Sequence, residues 1–588
     1  MKVLKFGGTS VANAASLEKV FEIIRNNSTE PIVVVVSALG GVTDILVDML
    51  KQAVNGENDF KDQIEVLQNR HLEPIKYFVP VAKQSESISF VRSELNKLES
   101  LLESVAQLQE ETERIYSKVT SFGELLSSQL IQVLLREQHV PALFLDARNL
   151  IQTEPSVAYP VVNFEISTEK SKSTFQNIKE NVVIVPGFIA SNVAGETTTL
   201  GRGGSDYTAA LLANFLEAKS LEIWTDVSGM FTANPKKVSQ AKPIPKLSYQ
   251  EAMELSHFGA TVIYPPTLQP IVKKQIPTYI KNTFDAAAPG TQIDSHGDQI
   301  NGEIVKGISH IDNVALITLE GSGMIGIPGI SKRLFEALSS HSINIIMITQ
   351  ASSEHSICIG VKGTEAIKAQ KVIDDAFTFE IAQQKVSPTR AEVNMANIAV
   401  VGNKMKDHQG ISGKLFSSLG ANNINIRAIA QGASERNISL IIDQKNIQKA
   451  LNTIHETFFE TQTKELNLFI TGVGNVGTKL IEQIEQQSSY LLEHLLLKVR
   501  VVALSNSKKM VLGEQPLDLF DWKNQLASSA TKADRDLFFK HVKKLNLRNS
   551  IFVDNTASEV IANEYARYLE HNVGVVTCNK SACAASLS

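Results

Sequence analysis

The sequence has few cysteines, no long apolar run and no strong excess of either charge. Three cysteines, Cys358, Cys578 and Cys583, are too few and too scattered for a disulfide framework or a zinc site. With 57 basic and 62 acidic residues, the net charge of −5 argues against the basic field that nucleic-acid binding requires. No uninterrupted apolar run reaches the ~20 residues of a membrane span, and the N-terminus lacks a signal-peptide pattern. We therefore expect a reduced cytoplasmic protein that binds neither nucleic acid nor membrane.

The 588 residues form several patterned segments, too many for one hydrophobic core. Residues 1–290 alternate β-branched runs with helical stretches such as Ala209–Leu216 and Gln250–His257. This alternation predicts an α/β domain with a largely parallel sheet covered by helices. Between about residues 51 and 118, long amphipathic stretches predict a helical insertion beside the sheet. The predicted strands are Val3–Phe6, Ile32–Ser37, Ala142–Asp146, Val182–Pro186 and Leu221–Thr225.

An internal repeat occupies residues 310–460. The segment GISKRLFEALSSHSINIIMITQ from Gly329 matches GISGKLFSSLGANNINIRAIAQ from Gly410, with an offset of 81 residues. Each copy predicts a strand, a helix, an Ile-rich strand and a further strand. Two small units of this kind are expected to pair and bury their sheets.

The segment 466–588 begins with a strand, a glycine loop and a helix. Gly472, Gly474 and Gly477 fit the pattern GxGxxG, and a second strand, VRVVALSNS, follows at the spacing of a βαβ unit. This pattern predicts a dinucleotide site.

The residues after that second strand bear on which dinucleotide is bound. The usual acidic partner of the ribose is missing, because the strand ends at Ser505–Asn506. Lys508 and Lys509 follow, and their charge suits the 2′-phosphate of NADP rather than NAD. The alternative is that they are two solvated lysines in a loop.

Two glycine-rich loops in the first domain predict a phosphate site. KFGGTS at Lys5–Ser10 places a lysine on a strand and two glycines in the turn after it, so that backbone N–H groups can approach a phosphate. An ordinary tight strand–helix turn is the alternative. TLGRGGSDYTAA at Thr199–Ala210 places glycines, an arginine, a hydroxyl and a carboxylate at a helix N-terminus, which suits an anionic ligand. Asp206 could equally be a simple N-cap.

Together these loops resemble the amino acid kinase superfamily, and further motifs are similar to those of aspartate kinases. KFGGTS, VVVSALGGVTD, SFGELLSS, PGFIA, GRGGSDYTAA, IWTDVSGMFTANP and YQEAMELSHFGA occur in that family's order. The whole chain resembles the bifunctional aspartokinase–homoserine dehydrogenases. This resemblance implies an α/β amino-acid kinase fold at 1–300, tandem α+β, ferredoxin-like ACT domains at 310–385 and 395–460, and an incomplete Rossmann domain at 466–588.

The implied function is the phosphorylation of L-aspartate by ATP to 4-phospho-L-aspartate, the first step towards lysine, threonine and methionine. The substrate carboxylate, already ionised at neutral pH, attacks the γ-phosphoryl group directly, with Mg²⁺ bridging the phosphates. Lys5 would stabilise the developing charge, and Asp206 would orient Lys5.

The resemblance also implies the binding residues. Arg202 would take the α-carboxylate of aspartate and Glu124 its ammonium group. The full aspartate-binding set is Ser37, Thr43, Glu124, Arg202 and Ser205. The ATP-binding set is Lys5, Gly7, Gly8, Ser10, Gly203, Gly204, Thr225, Asp226, Phe231 and Lys236.

One position departs from the family pattern. The sequence reads FGATV where relatives read FGAKV, so Thr261 replaces a nucleotide-contacting lysine. If that lysine contacts a phosphate, its loss should weaken ATP binding or transfer by about 1.5–3 kcal/mol. The alternative function is therefore a catalytically weak amino-acid sensor.

The repeat resembles tandem ACT domains, which bind amino acids. The family implies threonine as feedback effector, with Gln350 and Gln431 contacting it and Asn344 and Asn425 in support. The alternative is that both glutamines only satisfy backbone groups at strand ends. ACT domains commonly pair between subunits, so we expect a homo-oligomer, either a dimer or a tetramer.

The last segment resembles the start of a homoserine dehydrogenase, with VVTCNK matching the family's VVTxNK. We expect weak NADP(H) binding but no dehydrogenase activity, because the family's substrate-binding residues lie beyond that motif; a functioning dehydrogenase is the remaining alternative. The implied cofactor-binding residues are Gly472, Gly474, Asn475, Val476, Gly477, Lys508 and Lys580.

Overall fold

The computed structural model describes residues 1–57, 59–155, 160–259, 263–298, 303–350, 355–432, 436–459 and 464–584. The chain forms two compact units, one of residues 1–231 with 242–306 and one of residues 232–241 with 307–588. No helix within the described ranges is long and apolar enough to cross a membrane.

The first unit contains one large and one small sheet. In chain order its elements are β1 (Lys2–Phe6), α1 (Ala14–Asn27), β2 (Ile32–Val36), α2 (Val42–Val54), α3 (Phe60–Phe78), α4 (Gln84–Leu108), α5 (Glu113–Glu137), β3 (Ala142–Phe144), β4 (Gln152–Glu154), β5 (Val161–Val162), α6 (Phe164–Gln176), β6 (Val182–Pro186), β7 (Ile189–Asn192), β8 (Thr197–Thr199), α7 (Gly204–Phe215), β9 (Leu221–Thr225), β10 (Lys246–Ser248), α8 (Tyr249–His257), α9 (Gln269–Lys274), β11 (Thr278–Asn282) and β12 (Thr291–Asp294). The main sheet has the order β10-β12-β11-β9-β1-β2-β6-β3, and the smaller one β5-β4-β7-β8. In the main sheet only β11 and β12 pair antiparallel, which confirms the predicted, largely parallel sheet.

The core of this unit follows from its strand composition. All five residues of β2, the run IVVVV, are buried, because helices cover a parallel sheet on both faces. The predicted helical insertion is present as α3 and α4. Leu67 of α3 and Val91 of α4 belong to the same apolar cluster as Val34 of β2, so the insertion packs beside the sheet as expected.

The second unit contains the repeat and the glycine fingerprint. Its elements are β13 (Gly307–Glu320), α10 (Ile330–Ser340), β14 (Met347–Gln350), β15 (Ser356–Lys362), α11 (Ala366–Ala376), α12 (Thr378–Ala382), β16 (Arg390–Val401), α13 (Ile411–Ala421), β17 (Ile426–Gln431), β18 (Asn437–Asp443), α14 (Ile447–Phe459), β19 (Lys464–Thr471), α15 (Asn475–Leu495), β20 (Leu497–Ser505), β21 (Met510–Leu512), α16 (Trp522–Ser528), α17 (Arg535–Leu545), β22 (Ser550–Asp554), α18 (Glu559–Ala562), α19 (Tyr565–Leu569), β23 (Gly574–Thr577) and α20 (Lys580–Cys583).

The two copies of the repeat share one sheet of order β14-β15-β13-β16-β18-β17. The central strands β13 and β16 pair antiparallel and join the copies edge to edge. Each copy has the predicted order of strand, helix and two strands. Gly329 and Gly410, with φ of 95° and 83°, precede the matching helices α10 and α13, and this left-handed conformation favours glycine.

The last sheet has the order β21-β20-β19-β22-β23, and all of its pairs except β20–β21 are parallel. The predicted strand, glycine loop, helix and second strand are present as β19, α15 and β20. This is the doubly wound arrangement in which the carboxyl ends of neighbouring strands form a crevice.

Candidate active site

The carboxyl ends of β1, β2 and β6 meet at one edge of the main sheet, because these strands are parallel. A cavity of about 360 Å³, here called the edge cavity, lies there. The N-termini of α2 and α7 also reach it, with Thr43 in the first turn of α2. The predicted site residues that line it are Lys5, Gly8, Ser37, Thr43, Glu124, Arg202, Gly203, Gly204, Ser205 and Asp206.

Lys5 and Asp206 form an ion pair in this cavity. Lys5 lies on β1 and Asp206 in the first turn of α7, and Lys5 Nζ is 2.6 Å from Asp206 Oδ1. Both side chains are nearly buried, so water screens the pair weakly. Asp206 therefore fixes the position of the Lys5 ammonium group, and the alternative reading of Asp206 as a simple N-cap is not what the structure shows, since α7 has no side-chain cap.

Glu124 supplies a buried carboxylate to the same cavity. It lies on α5 and is only 4% exposed, and its Oε2 atom has no hydrogen-bond partner among the described residues. Burial raises the pKa of Glu124 to about 8, although the backbone N–H of Ala38 opposes the rise. An unsatisfied buried carboxylate is costly, so this oxygen is suited to a cationic group of a ligand.

Glycines shape the loop between β8 and α7. Gly203 has a φ of 69°, and a Cβ there would lie 2.6 Å from Tyr264 Cβ. A Cβ on Gly204 would lie 2.7 Å from Phe188, so neither glycine can be replaced without movement. Arg202 precedes them and is exposed to the cavity.

Sequence reasoning missed some of the lining. Gly40, Gly41, Asp44 and Phe188 also face the edge cavity. Gly41 has a φ of 80° and lies immediately before α2. The motifs VVVSALGGVTD and PGFIA contain these residues, so their spacing could have identified them.

Other predicted nucleotide residues are not among those lining the edge cavity. The Ser10 hydroxyl is fully buried and lies 2.7 Å from the Thr283 hydroxyl, which gives it a structural contact. The Thr225 hydroxyl donates to Asp226 at 3.1 Å at the end of β9. The remaining such residues are Gly7, Phe231 and Lys236. Lys236 belongs to the second unit, and Thr261 lies outside the described residues.

A second cavity, of about 340 Å³, lies in the first copy of the repeat; we name it the repeat cavity. Gln350, at the end of β14, lines it, and Gln431 ends the matching strand β17 of the second copy. Asn344 and Asn425 precede these strands and are exposed; Asn344 is not part of the cavity lining. Its lining carries no charged side chain among the described residues: Met324, Gly326, Ile327, Pro328, Gly329, Ile330, Ser331, Gln350 and Ile357.

The three fingerprint glycines have different surroundings. Gly472 has a φ of 89°, and a Cβ there would lie 2.7 Å from Thr556. A Cβ on Gly477 would lie 2.0 Å from the carbonyl oxygen of Gly472, which shows that helix α15 packs tightly against the loop. A Cβ on Gly474 would meet no atom within 4 Å. The space beside Gly474 therefore fits a ligand such as a pyrophosphate at the helix N-terminus, where Asn475 and Val476 begin α15.

A cavity of about 540 Å³ adjoins this loop; we name it the fingerprint cavity. Gly472 and residues 505–507 at the end of β20 line it, as expected for the adenosine half of a dinucleotide. Lys508 is exposed and not part of this lining, whereas Arg535 is. Lys580 starts α20 and is also exposed outside the lining.

Known proteins resemble this chain along its length. Residues 1–282 match the amino acid kinase family, residues 317–377 and 398–458 an ACT domain, and residues 472–588 the NAD binding domain of homoserine dehydrogenase. The crystal structure of Escherichia coli aspartokinase III in complex with aspartate and ADP aligns with a TM-score of 0.68 at 28% identity, over 78% of this chain and all of that one.

Two curated relatives match almost all of the chain. It is 35% identical over 587 residues to the chloroplastic bifunctional aspartokinase/homoserine dehydrogenase 1 of Arabidopsis thaliana, covering 99% of this chain and 64% of that protein. The chain thus spans slightly less than two thirds of the plant protein. It is 37% identical over 593 residues to the bifunctional aspartokinase/homoserine dehydrogenase of Haemophilus influenzae, covering 99% of this chain and 71% of that protein. The chain therefore belongs to the family of bifunctional aspartokinases/homoserine dehydrogenases.

Proposed function

We propose that this chain transfers the γ-phosphoryl group of ATP to the β-carboxylate of L-aspartate. The observation that carries the proposal is the edge cavity, which holds the Lys5–Asp206 ion pair beside a buried carboxylate with an unsatisfied oxygen. The cavity thus offers a cation for a phosphate and a carboxyl group that can ionise to pair with an ammonium group. An α-amino acid that accepts a phosphoryl group requires both.

The aspartate contacts follow from charge. The ammonium group of the substrate pairs with Glu124, whose buried oxygen otherwise has no partner among the described residues. The guanidinium of Arg202 binds the α-carboxylate, for which two parallel N–H donors are well suited. Ser37 and Thr43, which line the same cavity, can donate hydroxyl hydrogen bonds to the substrate.

Lys5 and the loop at Gly8 meet the transferring phosphoryl group. The reaction needs little covalent chemistry from the protein, so positioning and charge stabilisation dominate. Asp206 holds Lys5 in place rather than removing a proton, because the attacking carboxylate is already ionised near neutral pH. Part of the charge of the ATP phosphates would be neutralised by the Mg²⁺ that enters bound to ATP.

The test is a direct assay with purified chain, Mg·ATP and L-aspartate, in which hydroxylamine traps aspartyl phosphate. Hydroxamate that forms only when both substrates are present is the expected result. If no hydroxamate forms while calorimetry still detects binding of an amino acid, the chain is instead an amino-acid sensor. Thr261→Lys is then the first variant to assay for recovered kinase activity.

We further propose threonine as the effector, bound in the repeat cavity. A lysine effector would place its side-chain ammonium against a lining without a described carboxylate, and such burial of an unpaired charge is costly. The threonine hydroxyl needs only a neutral partner, which Gln350 can provide. Calorimetric titrations with threonine and with lysine test whether threonine has the lower Kd. Tighter binding of lysine would contradict it.

For the last segment we propose binding of a nicotinamide dinucleotide, NADP(H), supported by the open space at Gly474 and the adjoining fingerprint cavity. Titration followed by nicotinamide fluorescence tests it. We also propose a homo-oligomer, a dimer or tetramer, which light scattering after gel filtration would reveal.

A further inference from the structure

The end of β20 lies where a dinucleotide places the 2′ position of its adenosine ribose. The Asn506 side chain is committed to the turn there, because its Oδ1 accepts the backbone N–H groups of Lys508 at 2.8 Å and Lys509 at 2.7 Å. The Ser505 hydroxyl donates to the Asn506 carbonyl oxygen at 3.1 Å. The strand end thus presents no carboxylate to hold the two ribose hydroxyls of NAD(H).

The two lysines of the turn do not supply the positive charge inside the cavity. Lys508 is exposed and not part of the lining, and the ammonium group of Lys509 donates to the carbonyl oxygen of Ala527. Among the described residues that line the fingerprint cavity, Arg535 at the start of α17 is the one cationic side chain.

Three carboxylates share this cavity with Arg535, and each has another partner. Asp534 accepts the backbone N–H of Leu537 at 2.8 Å and so caps α17. Asp536 and Glu564 each accept a hydrogen bond from Arg567, at 2.7 and 2.9 Å. The guanidinium of Arg535 forms an ion pair with Glu564 at 3.6 Å, beyond hydrogen-bond range, and is half exposed. Arg535 can therefore turn to an incoming anion at little cost.

We propose that Arg535 binds the adenosine 2′-phosphate and is the residue that selects NADP(H) over NAD(H) in this chain. The inference rests on the proposed dinucleotide site and adds its specificity-determining residue. A guanidinium pairs with a phosphate through two parallel hydrogen bonds, while it gains nothing comparable from the hydroxyl of NAD(H).

The experiment measures the Kd of NADPH and NADH by nicotinamide fluorescence on the full chain and on three variants. Arg535→Ala should weaken NADPH binding about tenfold or more and leave the Kd of NADH within about twofold, the effect of losing a charged hydrogen bond. Lys508→Ala is the matched control and should change neither Kd by more than about twofold. Arg535→Lys keeps the charge and should retain part of the preference, which separates recognition from a loss of folding. Thermal melting of each variant checks that it is folded.

Displacement by adenosine 2′,5′-bisphosphate gives a second measurement. This bisphosphate should compete with NADPH for the unmodified chain, and its inhibition constant should be at least about tenfold higher for Arg535→Ala. Failure of both dinucleotides to bind the unmodified chain removes the proposed dinucleotide site itself. Equal affinity for NADPH and NADH, or a preference lost in Lys508→Ala and kept in Arg535→Ala, overturns the role of Arg535 alone.

Discussion

Aspartate should bind more tightly as the pH rises from 6 to 8, because Glu124 must lose a proton before it can pair with the substrate ammonium group. Burial raises the pKa of Glu124 to about 8, and no described cation pairs with it. Lys5 and Asp206 neutralise each other across 2.6 Å. The remaining charged groups that line the cavity are Asp44 and Arg202.

The size of the effect follows from the titration. With a pKa of about 8, roughly one Glu124 carboxyl in ten is ionised at pH 7. The apparent Kd of aspartate should fall about ninefold between pH 6 and 7 and about fivefold between pH 7 and 8, and then level off. At pH 7 each bound aspartate should release close to one proton.

Isothermal titration calorimetry in phosphate and in Tris measures both the Kd of aspartate and the number of protons released on binding. The two buffers differ in ionisation enthalpy, so the difference in apparent binding enthalpy gives the number of protons released. Glu124→Gln is the control: it keeps the shape of the side chain, loses the charge, and should bind aspartate weakly with no pH dependence in this range. An aspartate Kd that is constant from pH 6 to 8, or binding without proton release at pH 7, would refute the reasoning.

The same carboxyl should also affect stability. Between pH 4.5 and about 8 the unfolded chain has an ionised Glu124 while the folded chain keeps its proton, so the folded state binds more protons. The free energy of unfolding should therefore fall as the pH rises, by about 1.4 kcal/mol per pH unit from this group. Glu124→Gln should remove that slope.

Other variants test other parts of the assignment. Arg202→Ala should raise the KM for aspartate about tenfold or more with little change in that for ATP, whereas Lys5→Ala should lower kcat about 100-fold or more; steady-state kinetics with each substrate varied would expose the reverse pattern. Gln350→Ala should weaken inhibition by threonine and leave the uninhibited rate nearly intact, and an unchanged inhibition constant would remove Gln350 from the effector site. Burial lowers the pKa of His71 to about 4, so the contribution of the neutral imidazole to stability is complete above pH 6.5 and is lost as the pH falls towards 4. His71→Leu should therefore shift acid unfolding to lower pH. An unshifted unfolding midpoint in a circular-dichroism titration would contradict this.

Much of the fold could be predicted from local sequence. The β-branched runs such as Ile32–Val36 predicted buried strands correctly, and Gly472 and Gly477 marked a turn whose geometry requires glycine. The two kinase loops come together in the edge cavity because the carboxyl ends of parallel strands lie at one edge of a sheet.

The parts of the candidate sites that the sequence did not predict depend on contacts between residues that are distant in the chain. Nothing near Ser10 in the sequence indicates that its hydroxyl would contact that of Thr283, far along the chain. The unsatisfied oxygen of Glu124 arises from how α5 packs, which local pattern does not report. Arg535 opens a helix well beyond the fingerprint, so a search limited to the second strand finds Lys508 first.

The open space at Gly474 affects which glycines of the fingerprint can be substituted in this family. The backbone there has a φ of −73°, which any residue adopts, and an added methyl group would touch nothing. Folding alone therefore tolerates alanine at this position, while it excludes alanine at Gly472 and Gly477. The dinucleotide proposed for this segment would be the reason to keep Gly474. In a lineage that stopped binding a dinucleotide, Gly474 would be the first of the three glycines to be substituted, because its substitution leaves the fold intact.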